Sequence, residues 1–233
     1  NFFRATRSEW IKIRTLRSTW ITSMIAVFLT VLFSAGSAIA YAKTEGMSDS
    51  AAGGLITGTT FGEIVVAVLG ALVMTGEYAS GQIRSSMMAV PRRGRLFAAK
   101  ALVGSAFSFV LGVLSVALAY AASYPFMKGH AGSLTDTHYL GLFWGTGLSF
   151  AIISLMAQGV GHLTRSTAGA ITVVVSVLFV VPLPFQMMAG HWQWANKVLG
   201  LLPDTLSTAV SDPFSLATQW GQAGTATFLQ HWQ

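Results

Sequence analysis

The side chains with chemistry to offer are few, and they gather in one place. Between Glu77 and Lys100 lie Glu77 itself and the cations Arg84, Arg92, Arg93, Arg95 and Lys100, flanked by long apolar runs almost free of charge. Within this island Ile83, Met87 and Val90 recur at i, i+4 and i+7, so the spacing predicts a short amphipathic helix over Ala79 to Val90. Pro91 ends it, because proline disfavours helical geometry at Val90 and has no N–H for the next backbone bond. A short helix of this kind, held between apolar runs, suits docking against a surface on the aqueous side. The same residues also describe a solvated basic loop resting on anionic lipid.

Other chemistry finds little support. There is no G-x-x-x-x-G-K-[ST] run to cradle nucleotide phosphates. The histidines His130, His138, His162, His191 and His231 are scattered without metal-ligand spacing, and His130, Asp136 and His138 read as a solvated loop cluster. No Ser/His/Asp set has a local signature, so no catalytic residue and no metal site is assigned. With no cysteine there is no disulfide framework, no thiolate metal site and no clue to redox compartment. Glu63 is the one ionisable residue inside an apolar run. A charge at mid-bilayer costs about 2.5 to 3.5 kcal/mol on insertion scales, so such residues usually face a cavity or a partner. Two readings stand for Glu63: a wetted residue at the outer interface, or part of the outer lining of a substrate path. Gly58-x-x-x-Gly62 and Gly141-x-x-x-Gly145 put glycines on one helix face, where helices can approach closely. Gln158 suits an inter-helix hydrogen bond.

The elements that must position these residues are membrane spans. Of the 233 residues 53% are hydrophobic and only 9% charged, far below the roughly 25% charge of a soluble domain. Mean hydropathy is +0.60. The apolar residues form runs of bilayer-crossing length, about 20 residues each, which makes the chain an all-α polytopic membrane protein, a single transmembrane domain over residues 1–233. Residues 1–19 carry Arg4, Arg7, Lys12, Arg14 and Arg17, with Phe3, Trp10, Ile13, Leu16 and Trp20 on one helical side. That is the pattern of a helix lying in the membrane interface, with Trp10, Lys12, Arg14 and Arg17 as its anchors. Expected spans cover residues 20–41, 58–76, 101–124, 140–161 and 168–188. The first fits a signal peptide in outline, but its apolar run is longer than a usual signal core, so it is read as a retained span. Residues 43–57 are expected to be a Gly- and Ser-rich loop. Pro182 and Pro184 are expected to kink or unwind the last turns of the fifth span. Residues 189–233 are read as an outer region of interfacial or re-entrant half-helices, with apolar patches at Leu199 to Leu202 and Phe214 to Ala217. No initiator Met is present, and both ends are expected to be trimmed.

Charge distribution orients the chain. Eleven of the fourteen cations, Arg4, Arg7, Lys12, Arg14, Arg17, Arg84, Arg92, Arg93, Arg95, Lys100 and Arg165, fall on one side, against Lys43, Lys128 and Lys197 on the other. The N-terminus is therefore expected in the cytoplasm. This accounts for the net charge of +6 without nucleic acid, because the cations border the membrane instead of lining one groove.

Glu9 to Trp20, reading EWIKIRTLRSTW, resembles the start of ABC-2-type transporter permeases. Gly76-Glu77-Tyr78, then Gly81-Gln82-Ile83-Arg84, Pro91-Arg92-Arg93 and Ala99-Lys100, resembles their first cytoplasmic loop, with Gln82 where threonine is usual. The resemblance covers essentially the whole chain and says nothing of the substrate. It implies an ABC-2-type (type V) exporter transmembrane domain: an N-terminal interfacial helix, re-entrant helices between spans five and six, and a sixth span beyond Gln233. It further implies pairing with a second permease copy, a homodimer, and with separate cytosolic P-loop ATPase subunits. ATP and Mg would be bound by those partners and no cofactor by this chain. Residues 77–100 would then be the ATPase-coupling loop, with Ile83, Met87 and Met88 giving apolar docking and Glu77, Tyr78, Arg84, Arg92 and Arg93 setting register. The expected activity is export of a lipophilic drug, peptide antibiotic or lipid across a bacterial plasma membrane. An ion-coupled secondary transporter is the alternative, though no internal repeat is seen and Glu63 stands alone. A non-transporting membrane scaffold or sensor is the other.

Overall fold

The computed structural model describes residues 2–44, 51–81, 93–127, 137–189 and 191–211. Among them the regular elements are helical: α1 (Phe2–Thr15), α2 (Arg17–Lys43), α3 (Ala51–Thr57), α4 (Thr59–Ala79), α5 (Arg93–Ser123), α6 (Thr137–Thr164), α7 (Thr167–Val175), α8 (Pro182–Ala189), α9 (Gln193–Gly200) and α10 (Pro203–Ser211). Five stretches are long and apolar enough to cross a membrane: Arg17–Lys43, Gly53–Ala79, Gly94–Phe126, Tyr139–Thr164 and Thr167–Met188. The all-helical, five-span reading therefore holds.

The spans show large side chains outward and small ones inward, the reverse of a soluble helix. On α2, Met24, Phe28 and Leu32 are exposed, while Thr19, Ser23, Ala26, Thr30, Ser34 and Ala38 are buried. In lipid no hydrophobic force separates the two faces, so close packing of small residues decides which one turns inward. The partner surface is a row of glycines. A Cβ at Gly54 would come within 2.8 Å of the Ala38 backbone nitrogen, and one at Gly58 or Gly62 would collide with Ser34 or Thr30. Those pairs run 54 with 38, 58 with 34 and 62 with 30, so α2 and the α3–α4 span are antiparallel. Thr30 and Thr75 bond backbone carbonyls one turn earlier, to Ala26 and Ala71 at 2.8 Å each, and so need no outside partner, whereas the buried Ser23 and Ser34 hydroxyls have none. Farther along, a Cβ at Gly70 would lie 2.6 Å from the Ser154 carbonyl oxygen, which brings α4 onto α6 in parallel.

Several expectations are corrected. Residues 51–57, read as loop, form α3, because Leu55 and Ile56 are fully apolar and bury against α2 and α5. The expected helix starting at Ala79 does not start there: α4 ends at Ala79, and Gly81 takes φ +70°, which breaks the helical path. The rest of that helix lies outside the described residues, as does Phe214 to Ala217. α5 begins at Arg93, not near 101; at 31 residues it is about 46 Å long, well beyond a hydrocarbon core of about 30 Å. Part of it must therefore stand outside the hydrocarbon, and the end that carries Arg93, Arg95 and Lys100 is the charged one. In the fifth span, the disturbance precedes the prolines: Ser176–Val180 is a π-type turn, with Val181 N–H bonded to the Ser176 carbonyl at 2.9 Å. Pro182 supplies no N–H and crowds the carbonyl four residues back, so the turn before it widens. In α1 the expected stripe divides: Ile13 turns inward with Ala5 and Glu9, while Phe3, Trp10, Leu16 and Trp20 stay exposed.

The Gly58 contact generates a direct check. Gly58→Val should shift thermal unfolding of the detergent-solubilised chain down, at a cost of about 1–3 kcal/mol or more. Gly36→Val, where an added Cβ meets nothing within 4 Å, should leave it unchanged.

Candidate functional site

The charged ends of α1, α4 and α5 meet in a closed ring of four ionised side chains. The inward row of α1 places Glu9 on its buried face, with Lys12 one turn on. Glu77 comes from the last turn of α4, and Lys100 from the second turn of α5. Lys100 Nζ donates to Glu9 Oε2 at 2.7 Å and to Glu77 Oε1 at 2.9 Å. Lys12 Nζ donates to Glu9 Oε1 at 2.8 Å and to Glu77 Oε1 at 2.6 Å. Glu9, Glu77 and Lys100 are 2%, 5% and 3% exposed; only Lys12 reaches solvent.

Two cations and two anions sum to zero, which is what makes burial tolerable. Breaking a buried ion pair by removing one partner typically costs 3–5 kcal/mol, because it strands the other charge. Burial alone would push the Lys12 ammonium down, but its hydrogen bonds to Glu77 and Glu9, and the charges of both, hold its pKa above the ordinary lysine value. Its contribution is therefore complete below the ordinary value of 10.5 and is lost only as pH rises through the raised one. Glu77 Oε2 is buried and has no hydrogen-bond partner.

The ring lies at both roots of the segment between α4 and α5. Glu77, expected on an exposed docking surface, is turned inward and ties that root to α1; Lys100 does the same for the other. Tyr78 faces a different neighbour, its hydroxyl lying 2.7 Å from His162 Nδ1 at the end of α6. Phe97 covers the same imidazole with ring centroids 4.2 Å apart. Thr167 donates to Thr75 at 2.8 Å, bringing the start of α7 to α4. Five helices thus converge within one layer.

Ile83, Arg84, Met87, Met88 and Arg92 lie outside the described residues, and for Arg93 only the backbone is described, opening α5. Of the interfacial anchors, Trp10 meets Phe107 of α5 edge-on at 6.4 Å, and the Arg14 carbonyl accepts the Trp20 indole N–H at 2.8 Å. Arg14 and Arg17 are exposed. Lys12 belongs to the ring. Glu63 sits near the opposite end, 3% exposed, and accepts a hydrogen bond from Ser207 of α10. Ser149 of α6 donates to the Ser207 carbonyl at 3.0 Å, so α10 is held over Glu63 from two sides. Sequence reasoning overlooked the ring. The available signal was that the side rich in cations carries only two acids, Glu9 and Glu77, and these are its two anions.

Glu77→Gln or Lys100→Met alone should each destabilise the purified chain by roughly 3–5 kcal/mol. The double variant should lose clearly less than the sum, since it leaves one acid and one base. Thermal unfolding of the four proteins in a double-mutant cycle reads this directly, and additive losses would contradict a shared ring.

The comparison with curated proteins and with solved structures returns no match. The model of the family described as ABC-2 family transporter protein matches residues 5–183, a span that contains the whole ring, the Tyr78–His162 contact and the five membrane helices up to Pro182 and Leu183. The chain therefore belongs to the ABC-2 transporter family, as a membrane-spanning permease of an ABC transporter.

Proposed function

We propose that this chain is the permease half of an ATP-driven exporter in a bacterial plasma membrane, with its N-terminus in the cytoplasm. Two copies would pair as a homodimer and work with two separate cytosolic P-loop ATPase subunits, which bind the ATP and Mg. The cargo is a lipophilic drug, peptide antibiotic or lipid, in keeping with spans whose surfaces are almost wholly apolar. The segment between Glu77 and Lys100 is the coupling element, with Ile83, Met87 and Met88 as apolar docking residues and Arg84, Arg92 and Arg93 setting register.

The observation that supports this reading best is the ion-pair ring at the roots of that segment. A docked loop transmits force only if its base is stiff. Shifting a two-state equilibrium from 1:99 to 99:1 takes about 5.5 kcal/mol, and detaching α1 would require breaking Glu9–Lys100 and Lys12–Glu77 together, each on the order of 3–5 kcal/mol. The ring therefore holds while the spans tilt as bodies. Motion of the ATPases reaches α1, α4 and α5 at once, and through Tyr78 and His162 it reaches α6.

At the opposite end, Glu63 lies beneath α10 and lines the outer part of the path once α10 lifts. Its carboxylate then discriminates among cargo.

Two experiments test this in the reconstituted complex with its ATPase. Charge reversal at Arg92 and Arg93 should leave ATP hydrolysis running while export falls by about tenfold or more, the effect of roughly 1.4 kcal/mol of lost coupling; coupling that survives intact would remove this segment from the mechanism. Glu63→Gln should alter which compounds stimulate ATP hydrolysis, and an unchanged stimulation profile would exclude Glu63 from the path.

A further inference from the structure

Between α5 and α6, just inside the charged end, lies a groove of about 290 Å³. Phe97 and Ala101 form one wall and Leu155 and Gly159 the other, with Lys100 and His162 among its polar limits. It opens on the outer face of the bundle, where Leu155 and Gly159 are exposed and Leu102 and Leu163 continue the apolar surface. A Cβ on Gly159 would meet nothing within 4 Å, so the groove reaches down to helix backbone.

Among the described residues no acidic side chain lines it. Its polar groups are Lys100, His162 and the Gln158 amide, whose Nε2 donates to the Ser154 hydroxyl at 3.3 Å. Lys100 uses two N–H bonds on Glu9 and Glu77, leaving one of an ammonium's three. His162 has Nδ1 against the Tyr78 hydroxyl, so when Tyr78 donates, the other ring nitrogen carries the proton. Lys12 and Lys100 are neutralised by Glu9 and Glu77. The surplus positive charge at this end of the two helices comes from Arg95 and Arg165, both exposed.

We propose that this groove binds one acyl chain of an anionic phospholipid from the leaflet at the charged end, its phosphate drawn to the His162 end by Arg165, which is exposed directly after α6. The volume is near the lower limit of small-ligand pockets, about 300 Å³, which suits a single chain. The opening lies among exposed apolar side chains close to the charged end of the spans, and each basic side chain near an anionic surface favours binding by about fivefold. A lipid seated here touches Lys100 of the ring and His162, the partner of Tyr78, so it braces the junction of α4, α5 and α6.

The test is lipid retention by the full chain in native mass spectrometry, after incubation in mild detergent with phosphatidylglycerol or phosphatidylcholine of identical chains. It needs no ATPase, so its failure leaves the transport reading standing. One phosphatidylglycerol should be retained, preferred over phosphatidylcholine by about tenfold. Gly159→Leu should lower retention by about tenfold or more, and Ala101→Phe, filling the groove from the other wall, should act alike. Gly36→Leu, at another exposed and open glycine, should change nothing. Equal retention of the two lipids, or retention unchanged in both groove-filling variants, would overturn the proposal. So would displacement by inorganic phosphate, which would mark a site for a free anion. Disulfide formation between two copies of Gly159→Cys, with no lipid retained, would assign the groove to a second copy instead.

Discussion

Four charges that sum to zero hold the charged end of this protein together. Glu9, Lys12, Glu77 and Lys100 come from three helices, and each carboxylate is gripped by both ammonium groups. An isolated ion could not stay buried at this depth, since its desolvation would cost several kcal/mol and the group would neutralise or withdraw. Because the four close on one another, none can leave without stranding two neighbours. Helix α1 is thereby tied to α4 and α5, and the segment from 80 to 92 is anchored at both ends.

The ring can close only because the spans lie close and in register. Gly54, Gly58 and Gly62 let α2 and the α3–α4 span approach until backbone meets backbone, which fixes where α4 ends relative to α1. Gly70 and Gly161 do the same between α4 and α6, setting Tyr78 beside His162. Small residues and ion pairs thus have separate duties. The first set helix separation through the apolar interior, where hydrogen-bonding partners are scarce. The second lock the ends, where water and head groups lower the cost of charge. Glu63 repeats the end-locking theme at the opposite side, in a lighter form, through Ser207 of α10.

Much of this was legible in the chain itself. Run length and charge asymmetry were enough for five spans, and the order of the two motifs pointed to the family that the match to residues 5–183 establishes. The ring was not legible, because its pairs join positions 91 and 65 residues apart, and periodicity describes one helix at a time. Glu9 shows the difficulty. Phe3, Trp10 and Trp20 of the expected aromatic stripe are exposed, yet nothing in the pattern revealed that an acid on the other face would be buried by a lysine from another span. Residues 51–57 failed for a related reason. Glycines that read as loop in water are helix-packing residues in lipid, and Gly54 is needed so that Ser37 can reach its carbonyl at 2.5 Å. Pro182 announced a disturbance, but the backbone resolves it one turn earlier, on the side where an N–H is free to find a more distant carbonyl.

The ring also alters how the basic residues should be counted. Orientation by positive charge rests on cations that stay at the membrane surface. Lys12 and Lys100 do not serve in that way, because their charge is cancelled within the fold by Glu9 and Glu77. Removing those two from the eleven leaves nine, against Lys43, Lys128 and Lys197 on the other side, and Lys43 lies over the Phe126 ring at 5.9 Å. The proposed cytoplasmic N-terminus survives the correction. The remaining cations then divide by exposure. Those on the surface, such as Arg14, Arg17, Arg95 and Arg165, act through a field that salt screens within about 8 Å at physiological ionic strength. The ring is screened far less, since Lys100 and both acids are buried and only Lys12 reaches solvent. Attachment of the chain to lipid head groups should thus weaken with salt, while the internal junction of α1, α4 and α5 weakens far less.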